Sequence, residues 1–190
     1  MAGARIEITK DTARPALRRL IAQLQGEGRA TMLADMGEYL LRSTRERAAK
    51  QVDPSGTPWQ PLSPSYKRWK DKKRPGVPIL KFDFHMLGDQ LSYQVQEDAL
   101  LVGTNAPYGA AHQFGQTVHV APRSTLVSFK KHGKGKRFAS PKNADSESWH
   151  AVAGHDITLP ARPWLGLSAE DHDELLAIAR DHLADMLKAD

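Results

Sequence analysis

Between Arg29 and Gln51 the apolar residues Met32, Met36, Tyr39 and Leu40 recur at intervals of three and four, and four prolines then fall within the eleven residues 54–64. The first pattern predicts an amphipathic helix of roughly six turns, with Arg42, Arg45, Glu46 and Arg47 on its other face. The prolines exclude regular structure immediately afterwards, because each removes a backbone donor and fixes φ. From Ser65 a short basic helix is expected, with Tyr66 and Trp69 on one side.

Other elements are read the same way. ARIEIT near the N-terminus alternates as a strand, and ALRRLIAQLQ follows as a helix with Pro15 in its first turn. Leu87 and Gly88 mark a turn, after which QLSYQVQ and ALLVGT read as a hairpin closed at Glu97 and Asp98. TVHVAP is a third strand and GHDITLPARP its returning partner. Residues 123–150 lie between them as a long basic excursion whose tip, HGKGK, cannot fold alone, and the excursion is expected to be mobile in the free subunit and to order only in an assembly or on DNA. Ser168 caps a last helix, with Asp171 as a short capping-box partner. Its buried face is expected from Leu175, Leu176, Ile178, Ala179, Leu183, Met186 and Leu187. The fold class is α+β: long N-terminal helices, a small and mainly antiparallel sheet, and a C-terminal helix. We expect one domain over residues 1–190, with the basic loop inserted at about 122–150.

Charge is unevenly placed. Residues 67–81 hold seven Lys/Arg against Asp71 alone, and residues 123–142 hold seven more with no acid, together 14 of the 27 basic residues. From Ser168 onward seven acids face only Arg180 and Lys188. Such polarity suits either a polyanion on one side or head-to-tail packing of copies. The basic groups, with Trp69 and Phe138 nearby, fit phosphates and not base edges. The DNA-facing candidates are Lys70, Lys72, Lys73 and Arg74, then Lys130, Lys131, Lys134, Lys136 and Arg137.

Several functions find no support. With no cysteine, disulfides and thiolate chemistry are excluded. Eight histidines include no HExxH and no helical i, i+4 pair, so no metal or cofactor is expected. Nucleophile-elbow, Walker A and dinucleotide motifs are missing. Asp83, His85 and Asp89 would permit an acid–base pair, as chains of this length generally do. No run approaches a membrane span and MAGARIEITK lacks the apolar core of a signal peptide, so a soluble protein of the host cytoplasm is expected.

The stretch NAPYGAAHQFG reads as a buried corner or as the floor of an active site. Its alanines admit another backbone, Tyr108 and Phe114 would anchor into a core, and His112 and Gln113 would bond neighbouring carbonyls, which favours the corner. Four blocks then occur in order: GTPWQPLSPSYKRWK, ILKFDFHMLGDQLSYQV, LLVGTNAPYGAAHQFG and LPARPWLGLSAED. This order resembles the phage virion morphogenesis (tail completion) family of Mu-like phages and prophages, over roughly residues 30–190. The basic excursion stands where a plainer member has a short linker, and Leu80–Asp83 departs from the usual I-L-x-x-T/S-G, which implies a slightly altered turn.

The resemblance implies a non-enzymatic assembly factor that finishes the tail or joins it to the head. It implies a homo-oligomeric ring, a hexamer, around the DNA channel, with tail tube or terminator and head–neck proteins as partners and non-specific duplex contact. It places the protein in the virion after assembly in the host cytoplasm. On that reading Trp59, Tyr108, His112, Gln113, Phe114, Gly115, Arg162, Pro163 and Trp164 are architectural, PARP being a rigid lead-in to the last helix. The competing reading is a non-specific DNA-binding accessory protein acting as a monomer or dimer.

Overall fold

The long periodic segment folds as helix α1 (Glu27–Lys50), and its end is set by local bonding. Gln51 adopts the left-handed conformation at φ 59, its amide bonds the Ala48 carbonyl, and the Val52 amide bonds that of Arg47. This is a Schellman stop made without glycine. Gln51 is fastened on both sides: its carbonyl accepts the Trp59 amide at 2.9 Å and its Oε1 accepts the Ile79 amide at 2.9 Å. These bonds hold the proline-rich segment against the end of α1.

The computed structural model describes Arg18, Ile21 and residues 26–97 and 99–188, with Met186 and Leu187 as backbone only. The strand expected at ARIEIT, most of the helix expected over ALRRLIAQLQ, and the side chains of Met186 and Leu187 lie outside the described residues. By contact the chain divides into two units, Met1–Phe114 with Arg162–Asp190, and Gly115–Ala161.

In the first unit Ser63 caps helix α2 (Pro64–Lys73), its Oγ accepting the Tyr66 amide at 3.4 Å, with Pro64 at the first helical position. A π-type turn (His85–Asp89) buries Met86 and Leu87 and leads into the expected hairpin, strands β1 (Leu91–Gln96) and β2 (Ala99–Thr104). The strands pair antiparallel from Leu91↔Thr104 to Gln96↔Ala99. Helix α1 lies across this hairpin so closely that a Cβ on Gly37 would sit 2.5 Å from the Tyr93 ring. Helix α3 (Gly109–Phe114) is short, and helix α4 (Ala169–Lys188) packs on α1. The core is small: Leu41, Ala48, Trp59, Met86, Leu87, Leu91, Ala106 and Trp164 form one buried cluster.

Ser168 and Asp171 make the expected reciprocal cap: the Asp171 amide bonds Ser168 Oγ at 3.1 Å and the Ser168 amide bonds Asp171 Oδ2 at 2.8 Å. The same carboxylate, fully buried, takes an ion pair from Arg47 and hydrogen bonds from Ser43 and Tyr39. Burial pushes the Asp171 carboxyl up; the Ser168 amide, Ser43 and Arg47 more than offset it, so its pKa lies below the ordinary carboxylate value. Arg47 is therefore not on the solvent face expected for it. It crosses from α1 to α4 and also donates to the Gly166 carbonyl at 2.8 Å. Leu175, Ile178, Ala179 and Leu183 are only half-buried, and Leu176 is 54% exposed, so α4 is covered on one side by α1 and is otherwise open.

In the second unit β3 (Gln116–Val120) pairs antiparallel with β7 (His155–Leu159), the return predicted from the sequence. The excursion between them is not irregular. It is a three-stranded antiparallel sheet, β5-β4-β6, from β4 (Arg123–His132), β5 (Gly135–Phe138) and β6 (Ser146–Val152). RSTLVSFK alternates as a strand should, and Gly133 at φ 58 supplies the tight two-residue turn in the HGKGK tip. Gly115, where the chain enters this unit, is at φ 74, and a Cβ there would lie 2.9 Å from the Ala161 amide nitrogen where the chain leaves it. Only glycine satisfies both conditions.

Candidate functional site

The blocks that carry the resemblance meet in a clasp of backbone-directed bonds. Gln113 is its centre: Oε1 accepts the amides of Trp164 at 2.9 Å and Leu165 at 3.0 Å, while Nε2 donates to the Leu165 carbonyl at 2.9 Å. One residue earlier the His112 carbonyl accepts the Arg162 amide at 2.7 Å. Trp164, 4% exposed, donates its indole N–H to the Gly109 carbonyl at 3.1 Å. The first block, GTPWQPLSPSYKRWK, closes the clasp. Trp59 donates to the Pro163 carbonyl at 2.8 Å, and Arg162 reaches back to the carbonyls of Gln60 and Pro61 at 2.8 and 3.2 Å. Gly109 and Gly166 let the strands approach, since a Cβ would meet Thr104 Cγ2 at 2.6 Å and Pro54 Cγ at 2.7 Å.

Every bond in this clasp ends on a main-chain group, which is how chain segments are held at fixed spacing. Burial, with the nearby Arg162 charge, holds the His112 pKa below its usual value, so the ring is neutral near pH 7, and its Nδ1 has no hydrogen-bond partner. His112 thus serves through its carbonyl and not, as expected, through its ring. Two aromatic expectations also fail. Phe114, the last residue of a helix that buries only Gly109, is 79% exposed, and Tyr108 just ahead of that helix is 38% exposed. His85 and Asp89 form an exposed ion pair at 3.0 Å, which raises the His85 pKa. Among the described residues no group of His, Asp or Glu side chains is placed to hold a metal ion, and no helix is long and apolar enough to cross a membrane.

Of the proposed DNA-facing residues, Lys72, Lys73, Arg74, Lys130, Lys131, Lys134, Lys136 and Arg137 are exposed. Lys70 is not: it is 3% exposed, its ammonium donates to the carbonyls of Val77 at 2.8 Å and Pro78 at 2.5 Å, and burial lowers its pKa. It ties the end of α2 to the following loop and cannot meet a phosphate from there. In the β4–β5 hairpin Lys130 stands opposite Arg137 and Lys131 opposite Lys136. Like charges placed directly across a ladder repel, so this tip keeps an unfavourable arrangement that a nearby anion would relieve.

The sequence profile of the phage virion morphogenesis family matches residues 8–184. The chain belongs to that family. A relative, "Mu-like prophage FluMu G protein 2" of Haemophilus influenzae, is 26% identical over 157 residues, which span 80% of this chain and 88% of the relative. No solved structure matches at a significant level. Membership in a virion morphogenesis family gives the chain a structural or assembly role in a phage, in company with other virion proteins.

Proposed function

We infer that the chain completes the phage tail or joins tail to head, as a ring of copies, a hexamer, around the passage for DNA. It works as one tail-completion domain, with residues of about 122–150 inserted as the DNA-facing arm. Tail tube or terminator proteins and head–neck proteins flank the ring, which forms in the host cytoplasm and stays in the virion. The observation that carries the reading is the like-charge pairing in the hairpin tip, Lys130 with Arg137 and Lys131 with Lys136. DNA passing through a ring needs weak, sequence-independent phosphate contacts, which separated exposed lysines supply. The clasp supports a non-enzymatic part, since its polar groups are committed to holding segments together.

The test combines assembly and salt dependence. Negative-stain images and native mass of the purified chain should show closed rings. Binding to mixed-sequence duplex should weaken with salt at about −0.9 per phosphate contacted. Replacing Lys134, Lys136 and Arg137 with Ser should make that slope shallower by up to about 3 while rings persist. Salt-sensitive binding by a chain that stays monomeric or dimeric would replace this reading with that of a DNA-binding accessory protein.

A further inference from the structure

The first unit carries an exposed aromatic stack that the clasp does not use. On α2 the Tyr66 and Trp69 rings stack at 5.4 Å, and Phe82 stacks on Trp69 at 5.4 Å with 12° between planes. The Arg74 guanidinium sits over Phe82 at 5.9 Å. Tyr66 and Trp69 remain 44% and 48% exposed. Holding Phe82 in this stack requires an unusual loop. Leu80 and Phe84 on either side of it are at φ 62 and φ 63, a region costly for side chains of that size, and buried Lys70 anchors Val77 and Pro78 beside it. Strained loops that persist around an exposed feature point to a use for that feature. Around the stack lie five exposed cations, Lys67, Arg68, Lys72, Lys73 and Arg74, against two exposed acids, Asp71 and Asp83 beside Phe82.

The occupant of such a surface must be both apolar and acidic. Duplex DNA meets only the second requirement, because its bases are stacked inside and offer no face to a ring, whereas aromatic residues and Arg are what protein interfaces concentrate. The chain itself has the complement. Between α1 and α4 runs a groove of about 400 Å³ with Asp35, Glu38 and Glu174 on its walls, Tyr39 and Ile178 as its apolar part, and Arg42 and Arg45 completing it. Asp35 is already paired with His182 of α4 at 2.7 Å. Along α4 the exposed acids Glu170, Glu174, Asp181 and Asp185 recur at intervals that place them on one stripe. Six acids on this helix face two basic residues, Arg180 and Lys188.

We propose that the α2 aromatic–basic platform of one copy docks into the acidic α1–α4 groove of the next, and that this head-to-tail contact builds the assembly. Platform and groove are different surfaces of the same compact unit, so the contact is heterologous. Repeated with a rotation that closes, it makes a ring. The proposal rests on the reading of the chain as a self-assembling ring and names the surfaces that join it.

The test is charge exchange with rescue, read by native mass and by light scattering after gel filtration. Lys72→Glu with Lys73→Glu, and separately Glu174→Lys with Asp181→Lys, should each leave folded monomers. All four changes in one chain should restore the ring. Each double variant alone sets like charges against one another, but in a mixture the negative platform of one meets the basic groove of the other. The unaltered platform likewise meets the unaltered groove, so the mixture should assemble rings of alternating chains. Trp69→Ala should lose the ring without changing the salt slope of DNA binding. Because the chain has no cysteine, a mixture of Lys73→Cys and Asp181→Cys chains should also form an intermolecular disulfide under mild oxidation. Double variants that assemble like the unaltered chain would overturn this contact and leave the ring standing. An unaltered chain that is monomeric, with no disulfide from the cysteine mixture, would overturn both. A Trp69→Ala chain that keeps its ring but binds DNA with a shallower slope would assign the platform to nucleic acid and overturn the proposal.

Discussion

Replacing Asp171 with Ala should destabilise the first unit more than any other single change to a charged side chain in it. The carboxylate is fully buried and also accepts from Ser43 and Tyr39, and Arg47 beside it is 9% exposed and also donates to Ser43. Removing the acid strands a guanidinium in a site closed to water, which costs about 3–5 kcal/mol. Loss of the Ser168–Asp171 cap adds about 1 kcal/mol, for a total of about 4–6 kcal/mol. Urea unfolding followed by far-ultraviolet circular dichroism reports on α1 and α4 directly. The double variant Arg47→Met with Asp171→Ala should be less destabilised than the two single changes summed, by about 1–3 kcal/mol, because no charge is left unpaired. The pH dependence has a definite sign. With its native pKa held below 3.8, Asp171 contributes stability that is fully present above that unfolded value and lost as pH falls through the lower native value. Asp171→Ala should therefore flatten the acid limb below about pH 4. A loss under about 1.5 kcal/mol, or single changes that simply add, would show that Arg47 and Asp171 do not depend on one another as described.

Other consequences follow from the clasp and the α1 contact. Trp164→Ala should cost about 3–5 kcal/mol in the same assay, since the residue is 4% exposed within the core cluster; a loss below about 1 kcal/mol would mean the PARPW segment is not packed. Gln113→Leu should cost about 2–4 kcal/mol by leaving the Trp164 and Leu165 amides and the Leu165 carbonyl without partners. Gln113→Glu, which keeps the acceptor, should cost less, and equal losses would argue against the bonding described. Gly37→Ala should destabilise by about 1–2 kcal/mol because the new methyl meets the Tyr93 ring at 2.5 Å. In a Tyr93→Ala background the same change should become stabilising through helix propensity; the same sign in both backgrounds would place the clash elsewhere.

What could be read from the sequence was whatever short-range chemistry determines. The α1 period, a short basic helix from about Ser65, the β1–β2 hairpin, the β3–β7 return and the Ser168 cap all follow from spacing and from residues a few positions apart. Gln113 was legible as a residue that bonds nearby main chain, but not that its partners are Trp164 and Leu165 some fifty residues on, nor that His112 acts through its carbonyl. Arg47 was misplaced because an arginine among arginines on a helix reads as solvent-facing; its partner lies 124 residues away. Lys70 was misplaced for a similar reason, since nothing within a basic run marks the lysine that turns inward to two carbonyls. In the excursion the density of charge hid a strand alternation that RSTLVSFK does contain. Phe114 and Tyr108 show the reverse error: aromatic residues suggest a core, yet Phe114 ends a six-residue helix that buries only Gly109, and Tyr108 lies just before it.

The central proposal is that this chain is a necessary structural part of the virion, at the end of the tail where DNA passes. The most direct measurement is electron microscopy of particles from induced cells in which translation of this chain alone is stopped by a nonsense codon. The account predicts heads and tails that are separate, or tails with unfinished ends, with joined infectious virions recovered when the intact chain is supplied in trans. Joined virions of normal appearance and infectivity, made without the chain, would contradict it.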